Sequence, residues 1–224
     1  MIPIIAIDGP AASGKGTVAS QLAQQLHFEY LDSGAWYRAI AWYLEQAGLA
    51  PAEEQRVSQA LEQCHIQQIQ ERMCLNQKDI TDNIRSEYVG TLASKWAVIP
   101  QIRNFLTVRF RACIQGAGLV ADGRDMGSVV FPEAMIKVYL TATPEERARR
   151  RFNQLNTMEN SVKMSNVLKD ILDRDKRDLN RVHAPLQSDG YQLIDSTEIN
   201  SFEVVQKIIS WWAECLPEQT GFKQ

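Results

Sequence analysis

The sequence predicts an α/β fold built on a central, mainly parallel five-stranded sheet flanked by helices. Three observations carry this. Short strand-like runs recur at 3–7, 28–31, 119–123, 136–140 and 191–195. The first, Pro3-Ile4-Ile5-Ala6-Ile7, is apolar without alternation, as a strand covered on both faces must be. Segments with helical spacing stand between these runs, which is how parallel neighbours are connected.

Residues 15–26 read as the first helix, because Val18, Leu22 and Leu26 share one stripe at i, i+4 and i+8. After the second strand, Asp32-Ser33-Gly34 predicts a break and 35–47 a helix. The middle of the chain changes style. A helix over 52–63 precedes short strand-like runs at 65–70, 72–75 and 79–80, separated by polar turns, the pattern of a small inserted unit. Helices over 83–97 and 101–115 follow. Pro100 falls at the first turn of the second, where its missing N–H costs nothing. Ile102, Phe105, Leu106, Phe110, Cys113 and Ile114 form the apolar face of that helix.

Beyond the fourth strand, Thr143-Pro144-Glu145-Glu146 has the form of a capping box with proline at its first helical position. The charge-rich stretch 145–178 is helical, with a break near Asn156 to Ser161. Asn200 and Glu203 open a last helix whose inward face is Val204, Val205, Ile208, Ile209 and Trp212. The tryptophans at 36, 42, 96, 211 and 212 read as core or groove wall.

The chain has 224 residues, 45% hydrophobic and 23% charged, and a net charge of −3. This length suits a single domain over 1–224 with a core large enough to need no staple. The acidic balance argues against a broadly basic nucleic-acid surface. Cys64, Cys74, Cys113 and Cys215 form no CxxC pair and do not cluster with His27, His65 or His183, which argues against a zinc site or a disulfide framework. No apolar run approaches the roughly 18 residues a membrane span needs, and no basic segment precedes the first apolar run. The expectation is a soluble, cytoplasmic monomer that binds neither membrane nor nucleic acid.

The strongest local signal is Gly9-Pro10-Ala11-Ala12-Ser13-Gly14-Lys15-Gly16-Thr17, two glycines five apart and then lysine, set between a predicted strand and a predicted helix. Such a loop turns several backbone N–H groups toward one anion, and the following helix presents its positive end to the same point. Lys15 adds a mobile charge that reaches outer phosphates. The Ser/Thr expected directly after the lysine is Gly16, with Thr17 one later. Direct and water-mediated contact of its hydroxyl with Mg²⁺ therefore both stand.

A P-loop alone covers switches, ATPases and small-molecule kinases. The GKGT ending resembles nucleoside monophosphate kinases. Asp32-Ser33-Gly34-Ala35-Trp36-Tyr37-Arg38 resembles the DSGAxYR segment of bacterial cytidylate kinases. Residues 121–132, ADGRDMGSVVFP, resemble that family's ADGRDMGTVVFP, with Ser128 for threonine. Residues 174–181, RDKRDLNR, and the Ala184-Pro185-Leu186 that follows resemble its RDxRDxxR and APL segments. The segments stand in the family's order from residue 9 to 186. The resemblance implies a P-loop kinase that moves the γ-phosphoryl group of ATP to CMP or dCMP with Mg²⁺. It also implies an insert over about 36–98 that binds the nucleoside monophosphate (NMP) and a short lid over about 147–164. A P-loop small-molecule kinase with a different acceptor is the nearest alternative, and a nucleotide-dependent switch a more distant one.

By this resemblance residues 9–17 with Lys15 hold the ATP phosphates, and Arg147 and Arg151 reach them from the lid. Asp122 orients the Mg²⁺ waters, with Thr17 beside it. Arg38 and Arg124, with Arg151, Arg174 and Arg181, carry the charge of the acceptor and transferring phosphates. Ser33, Tyr37, Gly123 and Asp178 complete the CMP contacts, and Ser94, Arg103 and Asp125 read the base. Chemistry agrees in part: cytosine offers acceptors at O2 and N3 and an amino donor at N4, so its reader needs both a donor and a carboxylate. On the residues alone, Arg174, Asp178 and Arg181 at i, i+4 and i+7 are equally a solvated helix face with internal pairing. From 147 to 181 ten basic residues face five acidic ones, a local excess that suits closure over polyphosphate.

Overall fold

The computed structural model describes residues 2–156, 163–179 and 190–215. Strand β1 (Ile4–Asp8) leads through the glycine-rich loop to α1 (Lys15–Leu26). Strand β2 (Glu29–Asp32) is followed without a break by α2 (Ser33–Gln46). The expected gap at 32–34 is absent because the Asp32 carboxylate caps the helix directly, accepting from the Ala35 N–H at 2.9 Å.

A separate unit follows: α3 (Glu54–Glu62) and the strands β3 (Ile66–Ile69), β4 (Arg72–Leu75) and β5 (Lys78–Asp79). These pair antiparallel in a three-stranded sheet of their own. Helix α4 (Glu87–Trp96) starts four residues later than the spacing predicts, because extended backbone at Ser86 ends the preceding turns and its hydroxyl caps the Val89 N–H. Helix α5 (Pro100–Ala112) opens on Pro100.

Strand β6 (Leu119–Gly123) returns to the main sheet and runs into a π-helical turn, Met126–Val130, that sequence reasoning did not anticipate. Then come β7 (Ile136–Thr141), α6 (Pro144–Asn156), α7 (Met164–Leu179), β8 (Tyr191–Asp195) and α8 (Ser201–Cys215). The expected capping box at 143–146 is half made. Thr143 accepts from the Glu146 N–H, but the Glu146 carboxylate turns to Arg149 and Arg150 instead. The Asn200–Glu203 box is complete and reciprocal.

The main sheet has the order β2-β6-β1-β7-β8, and every pairing is parallel. Alternation in β1 divides the core: Ile4 and Ala6 face α2, α4 and α5, while Ile5 and Ile7 face α1 and α8. Burying each of these isoleucines contributes about 1.5–3 kcal/mol. Trp36 and Trp96 lie in the first layer, Trp36 edge-on to Phe110 at 5.7 Å, while Phe28 meets Trp212 in the second. Among the described residues no helix is long and apolar enough to cross a membrane. The carboxyl ends of β1, β2 and β6 open on one side, where ligands of doubly wound sheets bind.

Candidate active site

One cleft of about 1030 Å³ lies at those strand ends. Its floor is the glycine-rich loop. Ala12 and Gly14 take left-handed backbone, which turns the loop back on itself ahead of α1. A Cβ on Gly9 would fall 2.0 Å from the Leu140 carbonyl oxygen, so only glycine lets the loop leave β1 this close to β7. Lys15 is nearly buried and donates to the Pro10 carbonyl at 2.9 Å. Burial, reinforced by Arg124, pushes its amine below the usual lysine range. An incoming polyphosphate supplies the counter-charge such an amine lacks.

Asp122 is the last residue but one of β6, in register with Asp32 of β2 and Ile7 of β1, and its carboxylate receives the Tyr30 hydroxyl at 3.3 Å. Burial and then Asp32 push the pKa of its carboxyl up to about 7, against the pull of Lys15 and Arg124. A buried carboxyl in that position is stabilised by any cation brought to it. Thr17 and Asp122 both line the cleft and offer hard oxygen donors, which fits Mg²⁺. Among the described residues no group of three or more histidine, cysteine or carboxylate side chains could hold a metal. A cation here would take most of its ligands from phosphate and water, as Mg²⁺ does.

The acceptor side is built from α2, α4, α5 and the segment after β6. Arg38 donates to the carbonyls of Ile84 and Arg85, each at 3.3 Å, which fixes its guanidinium against the turns before α4. Ser94 is buried and donates to the Gly90 carbonyl at 3.1 Å. Arg103, in the first turns of α5, pairs directly with Asp125. Ser33, Tyr37 and Gly123 line the same wall.

Arg124 donates to the Gly9 carbonyl and pairs with Asp178 on α7 at 2.8 Å. Arg174, one turn before Asp178, lines the cleft with its Nε buried and lacking a hydrogen-bond partner. Burial and then Arg124 disfavour its charge. A buried guanidinium nitrogen without an acceptor marks a place for an anion.

The lid arginines divide. Arg151 lines the cleft and reaches Glu87 on α4. Arg147 does not line it. It is buried against the Ala142 carbonyl at 2.9 Å and the Asp175 carboxylate at 3.0 and 2.6 Å, with a longer bond to the Ala11 carbonyl. Removing either partner of such a buried pair costs about 3–5 kcal/mol. Arg150 donates to Ser13 and Ser196, so Arg147 and Arg150 brace the phosphate loop from outside. Gly9, Pro10 and Ser13 sit behind the cleft surface, and Asp178 is held by Arg124. Arg181 and 184–186 lie outside the described residues.

Several cleft groups escaped sequence reasoning. Glu87 falls inside the helix expected over 83–97 and Tyr30 inside the strand expected over 28–31, with no motif marking either. Gln68, on β3, accepts from the Asp32 N–H and the Trp36 indole and donates to the Tyr30 carbonyl, tying the small sheet to the main one. No spacing rule marks such a residue.

The chain matches the Cytidylate kinase family over residues 5–214. A cytidylate kinase of Nitrosococcus oceani is 43% identical over 217 residues, covering 94% of this chain and 96% of that protein. One of Colwellia psychrerythraea is 46% identical over 213 residues, covering 92% and 94%. Among solved structures, an uncharacterized protein from Eubacterium ventriosum superposes with a TM-score of 0.51 at 13% identity, over 93% of this chain and 97% of that one. That likeness concerns the fold alone.

Proposed function

The chain belongs to the cytidylate kinase family, and from that premise we propose how its cleft divides the work. It transfers the γ-phosphoryl group of ATP to CMP or dCMP, giving ADP and CDP or dCDP. An oxygen of the acceptor phosphate forms the new bond to the γ-phosphorus as the β–γ bridging oxygen leaves with ADP. Such a transfer is carried by placement and charge neutralisation more than by covalent chemistry.

The loop N–H groups and Lys15 hold the ATP phosphates, with Arg151 reaching them from α6. Arg38, Arg124 and Arg174 hold the acceptor phosphate, and Ser33 and Tyr37 line its approach. Asp178 serves the CMP sugar, and Arg181 is shared with the transferring phosphate. Asp125 accepts from the cytosine N4 amino group, while Arg103 and Ser94 serve the ring acceptors. Thr17 and Asp122 would hold Mg²⁺, in part through water, and the ion would neutralise charge on the ATP phosphates. Arg147 serves the ATP end indirectly, by holding the Ala11 carbonyl of the loop.

The observation that carries this reading is one continuous cleft containing Lys15, Arg174 with its buried Nε lacking an acceptor, and the Arg103–Asp125 pair. The direct test is ADP release with CMP, dCMP, UMP, AMP and GMP as acceptors. CMP and dCMP should turn over fastest. Faster turnover of another acceptor, or hydrolysis indifferent to acceptor, would overturn the assignment.

We read residues 36–98 as the NMP-binding insert and 147–164, of which 157–162 lie outside the described residues, as the lid, both closing to keep water from the γ-phosphoryl group. Scattering profiles and hydrogen exchange should then change when CMP and a non-hydrolysable ATP analogue bind together. We propose a cytoplasmic monomer that binds neither nucleic acid nor membrane; the net charge of −3 argues against a broadly basic surface, and the free cysteines suit a reducing compartment.

A further inference from the structure

We propose that Asp8 and Tyr191 form a brace that positions Arg124 and Asp125, and so sets how tightly and selectively the acceptor is held without touching it. Asp8 is the last residue of β1 and is fully buried. One carboxylate oxygen accepts the Met126 N–H at 2.8 Å. The other accepts the Gly127 N–H at 2.8 Å and the Tyr191 hydroxyl at 2.6 Å. Neither Asp8 nor Tyr191 lines the cleft.

The geometry explains the carboxylate. Strand β6 ends at Gly123, and the backbone then turns at Asp125 into the π-helical turn. The first N–H groups of such a turn have no partner within it. An apolar residue at position 8 would avoid burying a carboxylate, but it would leave two buried N–H groups without an acceptor. The next carbonyl along the chain, that of Gly9, receives the Arg124 guanidinium. Consecutive residues of β1 and the phosphate loop therefore hold the Arg124 side chain and the backbone that follows Asp125.

The brace has little slack. Tyr191 lies on β8, in register with Lys137 of β7, which in turn pairs with Ala6 of β1. A Cβ on Gly127 would stand 2.7 Å from the Tyr191 hydroxyl oxygen and 3.0 Å from Lys137 Cγ. The turn is thus pressed against the hydroxyl that also holds Asp8. A change in either partner shifts the Asp125 backbone, and with it the carboxylate that meets Arg103. These are positioning residues, since neither contacts a reacting atom.

This inference rests on reading Arg124 and Asp125 as acceptor-side groups. Its test is steady-state kinetics of wild type, Tyr191→Phe and Asp8→Asn with CMP, UMP and ATP varied separately. Tyr191→Phe removes one O–H and keeps the ring, so it decides the question even if Asp8→Asn does not fold. It should raise KM for CMP about fivefold, a part of the worth of one hydrogen bond to a charged acceptor, since the effect reaches the acceptor only through the turn. It should also lower the CMP:UMP ratio of kcat/KM and leave KM for ATP within about twofold. Asp8→Asn should change the same quantities further in the same direction. A merely structural role would lower the unfolding temperature while moving neither the ratio nor KM for CMP, and that result would overturn the brace. Equal changes in KM for ATP and CMP would overturn it too. If wild type itself shows no preference for CMP, the acceptor-side reading fails instead.

Discussion

Arg151 on α6 donates to the carboxylate of Glu87 on α4, so an arginine assigned to the ATP phosphates is held by an acid on the opposite wall. The two side chains are 23% and 46% exposed, and an ion pair in such a setting contributes at most about 1 kcal/mol. The pair must part when Arg151 turns to phosphate. Glu87 therefore competes with ATP for one guanidinium.

Glu87→Gln should lower KM for ATP by up to about fivefold, the equivalent of that pair energy, with kcat little changed. Initial rates with ATP varied at saturating CMP measure this. An unchanged KM would mean that Arg151 never leaves Glu87 during turnover.

Lys15→Ala should lower kcat by several orders of magnitude with circular dichroism and unfolding temperature intact. The amine gains its full charge-stabilising value only against the transferring phosphate. It also sits at the edge of the core rather than within it. Retention of more than about a tenth of wild-type activity, on the scale of tenfold per 1.36 kcal/mol, would remove Lys15 from the mechanism.

Base choice should follow the Arg103–Asp125 pair. In the proposed roles the Asp125 carboxylate accepts from the cytosine amino group and repels the uracil carbonyl. Arg103 in the same proposal donates to O2, which both bases share. Asp125→Ala should therefore cost CMP more than UMP, and Arg103→Met should cost both. Full discrimination of this kind reaches roughly 10⁴-fold, and a partly open cleft gives less. The readout is kcat/KM for both acceptors; an unchanged CMP:UMP ratio in Asp125→Ala would leave the carboxylate only the task of holding Arg103.

Glu146 accepts from Arg149 and Arg150, and these bonds hold its carboxyl down to about 2. A depressed folded-state value means the unfolded chain binds this proton more readily. The contribution to stability is complete above the unfolded value of about 4.3 and is lost as pH falls toward 2. Urea unfolding from pH 7 to pH 2 should show wild type losing more stability than Glu146→Gln. Parallel curves would show the contact to be without net worth.

Much of the cleft was legible because it is contiguous in the chain. Residues 9–17 form their loop from their own backbone, and helix α1 begins where the lysine predicts. The segments around Asp32 and Asp122 carry their chemistry within a few residues. Arg147 and Arg151 were not separable this way. One turn apart on α6, they share a face by periodicity, yet Asp175 draws Arg147 inward and Glu87 draws Arg151 to the cleft. Helical spacing gives direction relative to the axis, not the identity of the neighbour met there.

The amino-acid sequence by itself determined the parallel α/β plan, the phosphate loop, Pro100 at the start of α5 and the Asn200–Glu203 box, because each depends on apolar periodicity or on groups within a few peptide units. Tertiary structure alone decided the strand order, the π-helical turn and the pairing of Asp8 with Tyr191, 183 residues away. A buried carboxylate takes whatever donors the packed sheet brings within hydrogen-bond reach, and that meeting depends on how three parallel strands lie side by side rather than on any spacing along the chain.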